Sequence, residues 1–204
     1  ILVGLVGSEM CIRDRSYIVE RSELGEDKEK ILSIQIPEKA GSFLKLSKIF
    51  SNSQITEFNY RLSDPNDAHV LVGIKTKSTK NFISLKNRLS KNHYPFKDLT
   101  KNEISNDHLR HMVGGRSTTA RTERVFRMEF PERPGALLDF LEKLGNKWNI
   151  TLFHYRNLGS AFGKVLVGIQ DSSKNKELLK RYLKRTGYTF TEETSNIAYK
   201  HFLE

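Results

Sequence analysis

Two kinds of chemically useful residue recur twice in this chain, in the same order: a glycine at a strand-to-helix turn, and a Tyr-Arg pair closing a later strand. Gly135 lies in Phe130-Pro131-Glu132-Arg133-Pro134-Gly135-Ala136-Leu137-Leu138, and Gly41 in Ile36-Pro37-Glu38-Lys39-Ala40-Gly41-Ser42-Phe43-Leu44. A missing Cβ lets another backbone or a small ligand approach such a turn closely. The first amides of the following helix have no intrahelical partner, so a carboxylate is welcome there. The strands Phe58-Asn59-Tyr60-Arg61 and Phe153-His154-Tyr155-Arg156 add an arginine for a carboxylate, Asn59 or His154 with nearby carbonyls for an ammonium, and apolar walls. That set suits a zwitterion. Taken alone, either glycine is better read as a tight turn before a core helix, and packing accounts for Tyr60 and Tyr155 as well as ligand contact does.

The elements that must position these residues follow from periodicity. Met128 and Phe130 alternate with Arg127 and Glu129, as in a strand, whereas Leu137, Leu141, Leu144 and Trp148 form one stripe of an amphipathic helix. The two turns are 94 residues apart. Beyond each helix the match resumes one residue out of step, as Ile55-Thr56-Glu57-Phe58 against Ile150-Thr151-Leu152-Phe153 and Val70-Leu71-Val72-Gly73-Ile74 against Val165-Leu166-Val167-Gly168-Ile169. A repeat held over three blocks predicts two copies of one module. The first module is expected as strand 31–36, helix 42–51, strands 55–62 and 69–76, helix 79–92 and strand 94–99. The second is expected as strand 125–130, helix 136–147, strands 150–157 and 163–170, helix 173–186 and strand 188–192, with 197–203 adding a last helical turn or two. This βαββαβ order predicts an α+β, ferredoxin-like fold, each module a four-stranded antiparallel sheet with both helices on one face. Domain boundaries fall at 31–107 and 125–204, with a connector at 108–124.

Composition narrows the function classes. The formal charge of +10 invites a nucleic-acid reading. The densest basic cluster, Lys174 to Arg185, shares its helix with Leu178, Leu179, Tyr182 and Leu183, which reads as a solvated face. RNA-recognition modules of this topology stack bases on aromatics of the central strands, and Val70–Ile74 and Val165–Ile169 have none. No nucleophile motif or Gly-rich cofactor fingerprint is present. His108 and His111 have metal-ligand spacing, but no third ligand is near, and Gly114-Gly115 is a hinge by composition. No apolar run approaches the ~20 residues that span a bilayer.

Residues 1–15 read as one frame of a transposon-type sequencing-library adapter, through Leu5-Val6-Gly7-Ser8-Glu9-Met10-Cys11-Ile12-Arg13-Asp14-Arg15. On that reading the only cysteine, Cys11, is foreign to the natural segment, which leaves no disulfide or cysteine-based zinc site. Residues 16–30 are expected to be the tail and linker of a missing upstream domain.

The chain resembles the C-terminal regulatory region of the biosynthetic threonine dehydratases (threonine deaminases), a tandem pair of ACT-like domains. The resemblance is carried by Phe130–Leu138 with Trp148–Arg156, and by Glu20-Arg21-Ser22-Glu23-Leu24-Gly25, Phe58–Arg61 and Met112-Val113-Gly114-Gly115-Arg116, and it covers about residues 17–204. It implies a parent enzyme that deaminates threonine to 2-oxobutanoate with pyridoxal phosphate in an N-terminal catalytic domain, in isoleucine biosynthesis. It also implies isoleucine as feedback inhibitor, valine as opposing effector, a homo-oligomer (a tetramer in the family) and a cytoplasmic or plastid location. The cofactor lysine and phosphate loop belong to the absent domain, so the fragment itself is expected to hold no cofactor and not to catalyse. The implied effector region maps onto Gly41, Ser42, Phe43, Asn59, Tyr60, Arg61, Arg110, Gly135, Ala136, Leu137, His154, Tyr155 and Arg156. The first module departs from the pattern with Lys39-Ala40-Gly41 in place of Arg-Pro-Gly and Asn59 in place of histidine, so equal binding by the two modules is open. The alternative is a pair of ferredoxin-like modules that assemble subunits or bind protein partners without sensing a ligand.

Overall fold

A computed structural model describes residues 29–51, 53–62, 66–76, 78–102, 104–105, 109, 117, 120, 122–156, 162–171 and 176–203. The adapter-like stretch 1–15, the tail through 28, and Arg110, His108 and His111 of the connector lie outside the described residues. The first module runs β1 (Glu29–Pro37), α1 (Ser42–Ile49), β2 (Gln54–Arg61), β3 (Asp67–Lys75), α2 (Thr79–Lys91) and β4 (Phe96–Asp98). The second runs β5 (Glu123–Pro131), α3 (Ala136–Leu144), β6 (Asn149–Arg156), β7 (Phe162–Gln170), α4 (Lys176–Thr186) and β8 (Phe190–Glu192), and α5 (Ile197–Phe202) closes the chain. The predicted order of elements is observed. Helices 42–51 and 136–147 end early, at Ile49 and Leu144; Gly145 (φ 73°) turns the chain out of α3. The one-residue shift between the repeats lies here, because α3 spans nine residues and α1 eight.

The strands form one eight-stranded sheet in the order β4-β1-β3-β2-β6-β7-β5-β8, not two separate four-stranded sheets. Each module alone would leave β2 or β6 as an edge with unpaired amides and carbonyls. The two edges satisfy each other, pairing antiparallel from Glu57 opposite Arg156 to Arg61 opposite Leu152, with Asn59 opposite His154 in the middle. The pairing continues as Leu62 N–H donates to the Thr151 carbonyl at 2.8 Å.

Strand alternation sorts the side chains onto two faces. Leu32, Ile34, Ile36, Phe58, Tyr60, Val70 and Val72 meet Phe43, Leu46, Phe82, Leu85 and Leu89 from the helices, and the corresponding residues of the second module continue the same core. Phe58 and Phe153 meet edge to face across the junction, ring centroids 5.5 Å apart, so the core is continuous between modules. On the other face, α5 covers Val125 and Leu152 with Tyr199. Beneath it the buried Glu123 carboxylate accepts hydrogen bonds from Arg61 (2.5 Å), Thr151 and Tyr199 (2.7 Å). Arg61 also donates to the Leu203 carbonyl at 2.5 Å, tying the end of the chain to the first module.

Two predictions follow from this packing. Phe153→Ala should remove about 3 to 5 kcal/mol of unfolding free energy, measured by urea denaturation, because the cavity opens in the shared core. Arg124 grips Glu192 through two nitrogens at 2.9 and 3.0 Å, and holds that carboxyl near about 2, against an ordinary 4.5, with burial opposing and Lys180 assisting. A depressed folded-state pKa gives stability that is full above 4.5 and lost as the pH falls toward 2. Glu192→Gln should therefore flatten the thermal melting point against pH across that window.

Candidate functional site

Both Pro-x-x-x-Gly turns end in a left-handed glycine, Gly41 at φ 86° and Gly135 at φ 82°, and each is the N-cap of the helix that follows. L-residues rarely adopt this conformation, which accounts for glycine at both places. The turns are closed by Lys39 N–H to the Pro37 carbonyl (2.9 Å) and Arg133 N–H to the Pro131 carbonyl (2.8 Å). No side chain caps α1 or α3, whereas Ser78 caps α2 and Asn196 caps α5. The first-turn amides of α1 and α3 are thus left for something other than a capping side chain.

Each turn opens onto a cleft shared with the other module. At Gly135 the cleft is walled by Phe130, Glu132, Ala136, Leu137, Phe153 and Tyr155, and from the first module by Ser47, Phe50, Ser51, Gln54 and Ile55; it holds about 520 Å³ of space continuous with solvent. At Gly41 the walls are Lys39, Phe43 and Leu44, faced by Leu141, Leu144, Trp148, Asn149 and Ile150 of the second module, around about 250 Å³. The second is the narrower. The Asn146 side-chain oxygen lies 2.6 Å from where a Cβ on Gly41 would sit, whereas the nearest group to that point on Gly135 is the Ser51 carbonyl at 3.9 Å.

A glutamate and a tyrosine line the Gly135 cleft, and the corresponding pair is joined to the lining of the Gly41 cleft through Asn149. Tyr155 donates to Glu132 at 2.8 Å, and its hydroxyl is 3.5 Å from the Ile55 carbonyl of the first module. Tyr60 donates to Glu38, whose other oxygen accepts from Asn149 of the second module at 2.9 Å. Burial first, then the neighbouring glutamate, pushes both phenols far above their ordinary value, so they remain hydrogen-bond donors. Burial also raises Glu38, partly offset by its bonds from Tyr60 and Asn149. The Gly135 cleft therefore offers helix amides to a carboxylate, Glu132 to an ammonium, and aromatic and aliphatic walls to a side chain, whereas the lining of the Gly41 cleft has no glutamate.

The structure brings together Gly135, Ala136, Leu137 and Tyr155 at one cleft, and Gly41 and Phe43 at the other, with Tyr60 packed on Phe43 at 4.8 Å between centroids. It separates the rest. In a strand, successive residues face opposite sides, so Tyr60 and Tyr155 join the helix-side core while Arg61, Arg156, Asn59 and His154 belong to the other face. There Arg61 is engaged by Glu123 and the Leu203 carbonyl, and burial, then the Arg156 charge, lowers the His154 pKa. Ser42 lines a different cleft, on the outer side of α1. Arg110 lies outside the described residues. Sequence reasoning missed Glu38 and Glu132 as site residues, although both stand at the same place in the two turns. It also missed Gly163: a Cβ there would lie 2.4 Å from Glu132 Oε1 and 2.6 Å from the Tyr155 ring.

Comparison with known proteins gives a consistent family. The model of the C-terminal regulatory domain of threonine dehydratase matches twice, over residues 20–109 and 114–203. L-threonine dehydratase biosynthetic IlvA of Burkholderia multivorans is 40% identical over 97% of this chain, and that of Escherichia coli 39% identical over 98%. The chloroplastic biosynthetic threonine dehydratase of Arabidopsis thaliana is 36% identical over 90% of this chain. The chain spans 39% of the length of the two bacterial relatives and 31% of the plant one.

Gly163→Ala should force Glu132 and Tyr155 apart and cost about 1 to 3 kcal/mol, as overpacking of a closed site does. Urea denaturation reads the cost, and loss of the slowly exchanging Tyr155 hydroxyl proton by NMR reads the displaced hydrogen bond.

Proposed function

Since the chain belongs to the family of C-terminal regulatory domains of threonine dehydratase, we propose that it is the amino-acid-sensing part of such an enzyme, binding isoleucine as feedback inhibitor and valine as opposing effector. The observation that carries this reading is the pair of clefts, each made from the glycine turn of one module and the helix end and strand start of the other. A ligand in such a place touches both modules, so its binding depends on how they sit together. In the wider cleft the carboxylate lies at the amides opening α3, the ammonium at Glu132, and the branched side chain against Phe130, Phe50 and Leu137. Differential binding to two arrangements of the modules then biases the rest of the enzyme, with ~1 to 3 kcal/mol the usual size of such a coupling.

The reading assigns threonine deamination to 2-oxobutanoate, and the pyridoxal phosphate that supplies its carbanion chemistry, to the part of the relatives that this chain does not span. The segment acts on that part and not on threonine itself, within a homo-oligomer, in the cytoplasm or, for a plant-type source, the plastid. Among the described residues no helix is long and apolar enough to cross a membrane.

Calorimetric titration of the full chain with isoleucine and then valine, with leucine and threonine as controls, tests it. Saturable heat is expected for isoleucine. Glu132→Gln, which removes the charge at the wider cleft, should weaken binding about 10- to 100-fold, the worth of a charge-assisted hydrogen bond. Glu38→Gln should have a smaller effect, because Asn146 stands across the narrower cleft. Absence of heat from a folded sample would favour the subunit-assembly reading.

A further inference from the structure

On the outer side of α1, away from the module junction, a second cleft of about 710 Å³ opens to solvent between the end of β1, the start of α1 and the segment joining α2 to β4. Lys39, Ser42, Lys45, His93 and Tyr94 line it, with Asp67 as the one acidic residue of the lining. The corresponding place in the second module is already filled. There Asp139 of α3 accepts from the Tyr188 hydroxyl at 2.9 Å, Lys143 at 3.2 Å and Arg133 at 3.3 Å. The Asp139 carboxyl is held below its ordinary value: burial raises it, and the bonds from Tyr188 and Lys143 and the charges of Lys143 and Arg133 outweigh that.

At a spacing of 94 residues, Lys39 takes the place of Arg133, Tyr94 that of Tyr188, and Lys45 that of Asp139. The first module therefore keeps donors at the Arg133 and Tyr188 positions, has Ile49 in place of Lys143, and replaces the acceptor by a further donor. It also adds a hydroxyl, Ser42, where the second module has Ala136. Ser42 is 4% exposed, and among the described residues its hydroxyl has no hydrogen-bond partner. That hydroxyl stands at the wall of the cleft, where it can donate to an acceptor. His93 is held at φ 58°, the left-handed region, where the second module has Gly187 at φ 76°; the turn at the rim is thus built the same way in both. Asp67 reduces the positive charge of the cleft without cancelling two lysines.

We propose that this cleft of the first module binds a small oxyanion, a phosphate or carboxylate group of a metabolite, in the place that the Asp139 carboxylate fills in the second module. Lys39 and Lys45 supply charge, and Ser42 and Tyr94 supply hydroxyl donors. The site shares Lys39 with the narrower junction cleft but opens on the other side of the turn, and Lys45, Ser42 and Tyr94 belong to it and not to the junction.

The test is calorimetric titration of the full chain, in a buffer free of phosphate and carboxylate, with inorganic phosphate and separately with succinate. Saturable binding of at least one is expected; preference for phosphate assigns a phosphate ester, and preference for succinate a dicarboxylate. Lys45→Asp supplies the acceptor that the second module carries and should weaken binding at least tenfold. Lys184→Asp makes the same charge change on the exposed face of α4 and should alter it by less than twofold. Ser42→Ala, copying Ala136, should weaken it several-fold. If Lys45→Asp does not fold, Lys45→Met is read in the same way. No saturable binding of either anion, or equal loss in Lys45→Asp and Lys184→Asp, overturns the proposal.

Discussion

The antiparallel pairing of β2 with β6 is the constraint on which the remainder of the structure depends. It removes the two strand edges that the separate modules would expose, and it does so with a register centred on Asn59 and His154. That register places Phe58 opposite Tyr155 and Tyr60 opposite Phe153, so four aromatic residues meet on the helix side at the junction. It also brings the end of each first helix against the glycine turn of the other module. The clefts exist only because the sheet is continuous; neither module forms one alone.

The same alternation that builds the junction separates tyrosine from arginine. A Tyr-Arg pair read along the sequence looks like one binding element, yet the two side chains are on opposite faces, with different work. Tyr60 and Tyr155 hold the glutamates beside the glycine turns. Arg61 instead reaches from the first module to Glu123 of the second and to the last turn of the chain. Both partners of that ion pair are largely buried, their side chains 9% and 2% exposed. Burying the pair is tolerable because Glu123 also accepts from Thr151 and Tyr199, which satisfies its remaining lone pairs. The face opposite the helices thus couples the modules through charge, while the helix face couples them through aromatic packing.

Most of the fold was legible in the sequence, since it rests on local periodicity and on repetition. Alternation as at Met128 and Phe130, helical stripes as at Leu137-Leu141-Leu144 and the repetition of the whole pattern place the strands and helices of both modules, and Ile197–Leu203 the closing helix. The joining of the two sheets was not legible, because it depends on how two edges of the same chain complement each other and no local pattern reports that. The glycines and tyrosines of the site were found by their recurrence. The glutamates recurred just as clearly, but they read as turn residues until the structure aimed Glu132 at Tyr155. Gly163 had no signal at all. Its place in the second module is taken by Ala68 in the first, and a methyl group on Gly163 would meet Glu132 and the Tyr155 ring.

Divergence between the copies is where duplication becomes informative. A position filled in one module and altered in the other reports what the shared scaffold requires and what it leaves free. Both copies keep glycine at the left-handed turn, glutamate after the proline and tyrosine on the second strand, and in both the tyrosine donates to the glutamate beside the turn. Around that corner they differ: Asn146 crowds Gly41 while Gly135 is open, and Lys45 replaces Asp139. A ligand entering these clefts would meet two corners of different width, and unequal affinities would spread its binding over a wider range of concentration than two identical independent sites would.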